Sequence, residues 1–385
     1  MITSTHDILD KLIAFPTVSR ESNLDLIDWV QGFLNQYGVS SSLTHNDEGT
    51  KANLHAVIGP QEVPGVMLSG HTDVVPVDGQ DWLFDPFALS HADGRYFGRG
   101  TADMKGFIAS ALAMVPRATK ANLKRPIHLA LSYDEEIGCI GVRRMIDVLE
   151  DAPVTPAFCI VGEPTEMLPA IGHKGKTGME CVCRGVESHS ALVTDGLNAI
   201  YLATEMISAI REIHERIRRE GVRDMDYPVP WTTLHVGTIS GGTALNIVPN
   251  ECRFKFEIRN LSADDPMDIV AQLRAEAEAI AKRYRDKFPA ADVAIEIFNE
   301  YPALDTGPED EIVAFVKSLT GANAHTKVAF GTEGGLFQKR LGMPVVVCGP
   351  GSMQQGHKPD EFIAESELAK CDQFLANLVE RLTLD

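Results

Sequence analysis

The sequence has few basic residues and few cysteines, and each shortage excludes a class of protein. Lys and Arg number 35 against 54 Asp and Glu, which gives a net charge of −19 at pH 7. Because nucleic-acid binding depends on cations that neutralise phosphates, this balance argues against a nucleic-acid partner. The seven cysteines are odd in number and show no CxxC spacing. A disulfide framework is therefore not expected, and a reducing compartment suits the chain.

Long apolar runs are also missing. No window reaches the roughly 20 apolar residues of a membrane-spanning helix, and the N-terminal MITSTHDILDKLIAFPTVS lacks a basic stretch followed by an apolar one. We therefore expect a cytoplasmic protein without a membrane partner. At 385 residues, 44% of them hydrophobic, the chain is long enough for two domains with separate cores.

Strand and helix patterns alternate in the first part of the chain. Apolar residues at 8, 9, 12 and 13 have helical spacing; strands are predicted at 53–59, 66–70, 127–133 and 157–162, and further helices at 104–115 and 142–149. The alternation resumes after residue 300, with the helix EIVAFVKSL (311–319), the strand MPVVVCG (343–349) and a final helix from about Glu365. This order predicts an α/β fold with a mainly parallel sheet.

The middle of the chain follows a different order. Strands at 179–186, 232–240, 251–259 and 292–298 surround two helices, one at 197–220 and one from Pro266 to about residue 287. The resulting β-α-β-β-α-β order is typical of a ferredoxin-like α+β domain. We therefore predict that residues 1–177 and 300–385 form one domain and that residues 178–299 are inserted into it.

Histidine and acidic residues follow several predicted strands or precede a helix in the larger domain. They are His71 and Asp73 after VMLSG, the run DEE at 134–136, Glu163, Asp103 in GRGTADMKG, and His357 in GPGSMQQGHKPDEFI. Ligands of open α/β sheets bind outside the carboxyl ends of the strands, so we expect these side chains to converge.

Several carboxylates at one edge would repel each other unless a cation lies between them. Histidine with carboxylates is a suitable ligand set for zinc, and a pair of ions about 3.5–4 Å apart would need a shared carboxylate. Other histidines, such as His128, His214 and His235, lie within predicted strands or helices, where a structural role is the favoured interpretation.

Five motifs in this order resemble those of the di-zinc aminoacylase/carboxypeptidase family of metallohydrolases. They are GHTDVVP (70–76), GRGTADMKG (98–106), DEEIG (134–138), VGEPT (161–165) and GHKPDEF (356–362). The resemblance implies that Asp103 bridges two Zn²⁺ ions, with His71 and Glu163 completing one site and Glu136 and His357 the other. Such ligands also accept Co²⁺ or Mn²⁺.

The resemblance implies further roles beside the metal ions. Asp73 would orient the ring of His71 from behind. Glu135 would be the general base, taking a proton from the attacking water and giving it to the departing amine, whereas its alternative role is that of a solvated surface carboxylate. The peptide bond between Asp103 and Met104 would be cis.

The inserted domain would complete the site as a lid and dimerisation domain. By resemblance, His189 in RGVESHSALV (184–193) would reach the partner subunit of a homodimer and stabilise an oxyanion, although an ordinary polar loop residue is the alternative. Asn246 and Arg259 would contact the substrate, and Arg259 would pair with its α-carboxylate. The glycine-rich GTEGG (331–335) is predicted to be a loop near His357, for which a plain turn fits as well.

The family machinery implies hydrolysis of an N-acyl amino acid or a short peptide. Residues 172–191 and 231–260 most resemble members that convert N2-acetyl-L-ornithine to L-ornithine and acetate in arginine biosynthesis. The net negative charge of the protein is compatible with the ammonium group of that substrate, but a role in solubility explains this charge equally well. The alternatives are members that remove succinate from N-succinyl-diaminopimelate, or members that hydrolyse another N-acyl amino acid. A further alternative is a binding or regulatory protein that keeps the fold without catalysis. Such a protein should lack a metal ligand or the base, whereas this sequence has residues of the expected type at all five ligand positions, at Asp73 and at Glu135.

Overall fold

The computed structural model of the protein describes residues 3–384. Its strands are β1 (Ser41–His45), β2 (Ala52–Ile58), β3 (Val66–His71), β4 (Ser90–Ala92), β5 (Arg95–Phe97), β6 (Ile127–Ser132), β7 (Phe158–Pro164), β8 (Ala170–His173), β9 (Gly175–Arg184), β10 (Thr233–Gly241), β11 (Glu251–Asn260), β12 (Asp292–Tyr301), β13 (Leu304–Asp305), β14 (Thr326–Val328), β15 (Val345–Gly349) and β16 (Phe362–Ala364). Its α-helices are α1 (Thr5–Ile13), α2 (Leu24–Asn35), α3 (Gly106–Ala118), α4 (Val142–Glu150), α5 (Ala199–Glu220), α6 (Pro266–Arg285), α7 (Glu311–Thr320), α8 (Gly334–Leu341) and α9 (Glu365–Leu384).

The chain forms two compact units. The larger one contains the chain up to His173, Leu304–Val328 and the residues from Thr332 onward, and the smaller one contains Lys174–Ala303 and Ala329–Gly331. Within residues 3–384, no helix is both long and apolar enough to cross a membrane.

The larger unit is built on a mixed sheet with a parallel centre. Its strands run in the order β1-β2-β6-β3-β7-β15-β8-β13, and β14 pairs with β8. The neighbours β6, β3, β7 and β15 are parallel, whereas β1, β2, β8 and β13 join antiparallel partners. Every residue of β3 and β6 is buried, as expected for strands covered on both faces. The predicted α/β fold class is confirmed.

Helices cover this sheet because their apolar residues repeat at helical spacing. In α9 the buried positions Leu368, Cys371, Phe374, Leu375 and Leu378 form one face that belongs to the main core. Burying a side chain such as Phe374 contributes about 1.5–3 kcal/mol to stability. Truncating it to alanine would cost roughly 3–5 kcal/mol, because a cavity adds to the lost transfer free energy.

The smaller unit has the β-α-β-β-α-β order of strands and helices that the sequence predicts. Its antiparallel sheet runs β10-β11-β9-β12, with a core shared by α5 and α6. Helix α5 begins after Asn198, whose side chain accepts from the N–H of Ile200, and ends at Gly221. Helix α6 begins after Asp265, whose carboxylate accepts from the N–H of Met267. Both starts are side-chain caps that satisfy free N–H groups.

Two helices differ from expectation. Helix α2 has no counterpart among the predicted elements, and its preceding Asn23 makes no side-chain cap. The segment GTEGG, predicted as a loop, instead leads directly into α8, which begins at Gly334. Both Gly334 and Gly335 are buried, and a Cβ on Gly334 would lie 3.1 Å from Val345 Cγ1, so close packing accounts for glycine in this first turn.

Candidate metal centre

The predicted ligand residues meet at the carboxyl end of the parallel strands. His71 is the last residue of β3, Glu163 lies at the end of β7, and Glu136 follows β6. Asp103 lies in an irregular turn, Thr101–Lys105, directly before α3. His357 lies in the segment after β15. The strand-end argument therefore brings together all five side chains in the larger unit.

Asp103 lies between the two histidines and directs one oxygen at each. His71 Nε2 is 3.0 Å from Asp103 Oδ1 and 3.6 Å from Glu163 Oε1. His357 Nε2 is 3.1 Å from Asp103 Oδ2 and 3.1 Å from Glu136 Oε2. A carboxylate with one oxygen toward each of two ligand pairs is the arrangement in which it could serve two ions.

The charges of this cluster fit a cation. Desolvation raises the pKa of Glu135 to about 8 and that of Glu136 to about 7, and neighbouring carboxylates add to both shifts. Burial also raises the pKa of Glu163 well above its usual range. Burial opposes ionisation of Asp103 too, but hydrogen bonds from His357 and His71 hold its pKa well below the ordinary value.

Donor atoms of the cluster lie close enough to share an ion. One donor atom each from His71, Glu135 and Glu163, and likewise from His71, Asp103 and Glu136, lie within 4.8 Å of one another. Imidazole nitrogens with carboxylate oxygens suit zinc and related divalent ions. The residues present therefore fit a metal centre, since a cation would relieve the repulsion among the buried carboxylates.

The ring of His71 is oriented by the backbone of Asp73. His71 Nδ1 is 2.8 Å from the carbonyl oxygen of Asp73, whereas the nearer carboxylate oxygen is 3.6 Å away. A proton on Nδ1 that is donated to this carbonyl leaves Nε2 free as a ligand atom. The predicted orienting contact is thus made by a different oxygen of the same residue.

The carboxylate of Asp73 has other partners. Oδ1 accepts from the backbone N–H of Glu135 at 3.0 Å, and Oδ2 accepts from the N–H of Glu136 at 3.4 Å and from the hydroxyl of Ser19 at 2.7 Å. These hydrogen bonds fix the backbone of the DEE segment against the end of β3. Asp73 therefore positions both the predicted base and a predicted ligand.

Further contacts hold the same segment. Asp134, which has a positive φ of 53°, accepts from the N–H of Arg20 at 2.7 Å and from the buried ammonium of Lys51 at 2.6 Å. The thiol of Cys139 donates to Glu135 Oε1 at 3.2 Å. Together these hydrogen bonds restrict both the backbone and the carboxylate of Glu135.

The turn that carries Asp103 is anchored to the first helix. The Asp103–Met104 peptide bond is cis, as predicted. Lys105 is fully buried, and its ammonium donates to the carbonyl oxygens of Leu12 at 3.1 Å and Phe15 at 2.8 Å. Burial lowers the pKa of Lys105 to about 7.

Glu333 is a buried carboxylate near the cluster that is not among the predicted site residues. It is buried beside the sheet, where its carboxylate accepts from the hydroxyl of Ser132 on β6 and from that of Ser69 on β3, the latter at 3.1 Å. Burial raises its pKa to about 7. In the sequence, Glu333 is an acidic residue directly before a helix, but the glycines around it in GTEGG favour a turn.

The three predicted residues of the smaller unit fall into two groups. His189 is exposed and caps the 3-10 helix Ser190–Asp195, with Nδ1 accepting from the N–H of Ala191. Ser190 donates its N–H to the carbonyl of Asn246, so His189 and Asn246 belong to adjoining segments. Arg259 lies on β11, where it donates to Glu257 Oε1 at 2.9 Å and to the hydroxyl of Tyr301 at 2.8 Å.

Known proteins resemble this chain along nearly all of its length. An acetylornithine deacetylase of Myxococcus xanthus is 34% identical over 376 residues, which cover 96% of this chain and 95% of that protein. Another, from Pasteurella multocida (strain Pm70), is 31% identical over 386 residues, with 98% of each chain covered.

Solved structures share the fold. An M20 family metallo-carboxypeptidase from Sulfolobus solfataricus matches with a TM-score of 0.81 and 18% identity over the whole of both chains. A Bacillus subtilis protein described as a dinuclear metal binding peptidase from the M20 family matches with a TM-score of 0.67 and 17% identity, covering 97% of this chain and 96% of that one.

The family resemblance predicted from the five motifs is confirmed. Peptidase family M20/M25/M40 matches residues 67–381, a range that contains every predicted metal ligand. The same fold is found in M20 structures, and the predicted ligand residues converge in the larger unit. This chain therefore belongs to peptidase family M20/M25/M40 and is a metal-binding hydrolase of that family.

Proposed function

We propose that this protein is a zinc-dependent deacetylase that hydrolyses N2-acetyl-L-ornithine to L-ornithine and acetate, a step of arginine biosynthesis in the cytoplasm. The observation that carries the substrate is the identity of 31–34% with proteins named acetylornithine deacetylase, maintained over at least 95% of their length. The free ammonium group of this substrate also suits a protein with a net charge of −19.

Five side chains would hold the metal ions. His71 and Glu163 would bind one zinc ion, Glu136 and His357 the other, and Asp103 both, in keeping with the distances around Asp103. When bound, the two ions supply positive charge that polarises the scissile carbonyl and acidifies a water molecule. Co²⁺ is expected to substitute, because these ligands do not select strongly between such ions.

Glu135 would move the proton. Its carboxylate takes a proton from the attacking water and gives it to the amine nitrogen as the C–N bond breaks. The water oxygen is then part of acetate, and the proton is on the amine of ornithine. Two observations support this role: a carboxylate oxygen of Glu135 lies in the donor cluster with His71 and Glu163, and the thiol of Cys139 donates to Glu135 Oε1.

The smaller unit would bind the substrate and dimerise. His189 of one subunit would stabilise the oxyanion in the other, while Asn246 and Arg259 would hold the amino-acid part of the substrate. Large apolar side chains of this unit are exposed, among them Leu192, Val193 and Leu245, which supports burial in a homodimer. Sedimentation that finds a fully active monomer would contradict this part of the proposal.

The deciding experiment measures acetate release from N2-acetyl-L-ornithine by zinc-loaded protein. N-succinyl-diaminopimelate serves as the rival substrate, and a chelator-treated sample serves as the control. Chelator-sensitive turnover of the acetyl substrate alone would support the proposal. Turnover of the succinyl substrate alone would keep the mechanism and reject the substrate.

A further inference from the structure

Arg99 and Glu361 form a buried ion pair beside the metal centre. Both belong to the motifs GRGTADMKG and GHKPDEF, yet neither is a predicted ligand or base. Each side chain is only 1% exposed, and Arg99 Nη1 is 2.7 Å from Glu361 Oε2. Because two charges are expensive to desolvate, a buried pair is retained at low cost only if further hydrogen bonds satisfy it. The partners of this pair are therefore informative.

Glu361 holds the backbone of the bridging ligand. Its second oxygen, Oε1, accepts from the N–H of Ala102 at 2.9 Å and from the N–H of Asp103 at 3.1 Å. Arg99 neutralises the charge of this carboxylate, so the pair adds no net negative charge next to the carboxylate cluster. Glu361 thus holds the backbone N–H of Asp103, while the two histidines contact its carboxylate.

Arg99 also reaches the segment that carries His357. Its Nη1 is 3.3 Å from the carbonyl of Lys358, and its Nη2 donates to Gln80 Oε1 at 2.6 Å. Gln80 in turn donates from Nε2 to the carbonyl of His357 at 3.0 Å. One guanidinium thus connects, through Glu361 and Gln80, the backbones of two ligands that lie more than 250 positions apart in the sequence.

Neighbouring contacts hold the guanidinium in place. Its Cζ lies 4.9 Å from the centre of the Trp82 ring, and the indole N–H of Trp82 donates to Gln80 Oε1. Asp360 ties the same segments together, because its Oδ1 accepts from the N–H of Leu83 at 2.8 Å. The planar guanidinium of Arg99 directs its two terminal nitrogens at Glu361 and Gln80 at the same time, which the single ammonium of a lysine could not reproduce.

We propose that Arg99 and Glu361 are positioning residues that set the spacing of Asp103 and His357 and so raise the affinity of the centre for its metal ions. This inference rests on the proposed metal-dependent function but not on the identity of the substrate. Partners behind metal ligands typically change metal affinity by about 10–100-fold when removed, and this pair acts on two ligands at once.

The test compares Glu361→Gln, Arg99→Lys and Gln80→Leu with the parent protein and with Arg340→Met. Arg340 is a matched control, because it also forms ion pairs in the larger unit, with Asp147 and Glu150 at the surface. The zinc dissociation constant is measured by competition with a chelating dye. Urea unfolding of the metal-free proteins establishes that each variant is folded under the conditions of the titration.

Glu361→Gln should raise the zinc dissociation constant by roughly 10–100-fold, while Arg340→Met should leave it unchanged. Arg99→Lys should raise the zinc dissociation constant by a smaller factor, since lysine keeps the positive charge but lacks the second donor nitrogen. With N2-acetyl-L-ornithine, kcat should fall at fixed zinc concentration while KM stays unchanged.

Equal zinc affinity in the parent, Glu361→Gln and Arg99→Lys would overturn the proposal. If either of these variants does not fold, Gln80→Leu decides, because Gln80 is only partly buried and its loss leaves the ion pair intact. Unchanged affinity in that variant would then overturn the proposal, and weakened affinity would support it. A parent protein that binds zinc but releases no acetate rejects the proposed substrate, whereas the pattern of zinc affinities still tests Arg99 and Glu361.

Discussion

Two buried histidines on neighbouring parallel strands have opposite electrostatic surroundings. In the pairing of β3 with β6, His71 lies opposite Ser132, and His128 lies opposite Met67 near the other end of the strands. Burial lowers the pKa of His71, but its hydrogen bond to Asp103 and the charges of Glu163 and Asp103 raise it well above the ordinary value. Burial lowers the pKa of His128 to about 4, and the charge of neighbouring His55 adds to this shift.

Burial by itself therefore does not identify a metal ligand. Both side chains are almost completely inaccessible, with 1% of His71 and 5% of His128 exposed. The partner of His128 is another imidazole, His55, at 3.1 Å. The partners of His71 are the carboxylates of Glu163, at the end of β7, and of Asp103, in the turn before α3. Position along the strand, at its carboxyl end, separates the two histidines.

The largest expected difference is between variants of the two histidines. His71→Ala should lower kcat by more than about a thousandfold and reduce bound zinc below two ions per chain, since a metal ion supplies several kcal/mol of charge stabilisation. His128→Leu should keep both zinc ions and most of the activity. The measurements are metal analysis and acetate release, and zinc loss in His128→Leu would contradict the distinction.

Glu135→Gln separates proton transfer from metal binding. We expect kcat to fall by roughly 10²–10⁴-fold, because a positioned base contributes that much to proton transfer. Zinc content should stay at the parent value. Glu62→Gln, at an exposed glutamate of the same unit, is the control and should be fully active. A Glu135→Gln enzyme with parental kcat would rule out the assigned role.

The lowered pKa of His128 should appear in the pH dependence of stability. As pH falls from 6.5, the unfolded chain binds a proton that the folded protein does not take up until about pH 4. The free energy of unfolding should therefore decline through this window, by about 3 kcal/mol in total. Urea unfolding of the metal-free protein and of His128→Leu checks this, since the variant should lose that part of the slope. Identical slopes would contradict it.

Asp73→Asn should have the smallest effect on kcat, and it separates the role of the Asp73 carboxylate from that of its backbone carbonyl. The variant keeps the backbone carbonyl that faces His71 but loses one of the two acceptor oxygens that hold Glu135 and Glu136. We expect kcat to fall about tenfold, as for loss of one hydrogen bond to a charged group. Zinc titration should give a nearly unchanged dissociation constant. The opposite pattern would show that the carboxylate mainly orients the ring of His71.

Much of this arrangement could be predicted because it depends on periodicity and on strand ends. Apolar runs located β3, β6, β7 and β15, and the polar residues at or after their ends include four of the five predicted ligands, the exception being Asp103 before α3. Helix α2 was not predicted although Ser22 and Asn23 are residue types common at helix starts; in the structure the side chain of Asn23 bonds the backbone of Ala52 instead of capping the helix. Helix α8 was missed because two glycines lower helix propensity by about 1 kcal/mol each relative to alanine. Packing overrides that preference at Gly334 and Gly335, which are buried.

Contacts between distant segments could not be predicted in the same way. The sequence places Asp73 two residues after His71, but it does not indicate which oxygen faces the ring and which faces the DEE segment. Arg99 and Glu361 lie in the motifs GRGTADMKG and GHKPDEF, yet their pairing depends on how two loops fold together. Such pairings follow from tertiary structure, which spacing along one segment does not specify.

The ammonium of Lys105 gives the first helix an unexpected importance. Its two acceptors, the carbonyl oxygens of Leu12 and Phe15, lie at and just beyond the end of α1. A chain shortened beyond Phe15 would leave this group in an apolar interior with neither acceptor, two positions from Asp103. Helix α1 is therefore not dispensable, and we expect protease cleavage after Phe15 to inactivate the enzyme although the cut lies almost 90 positions from Asp103 in the sequence.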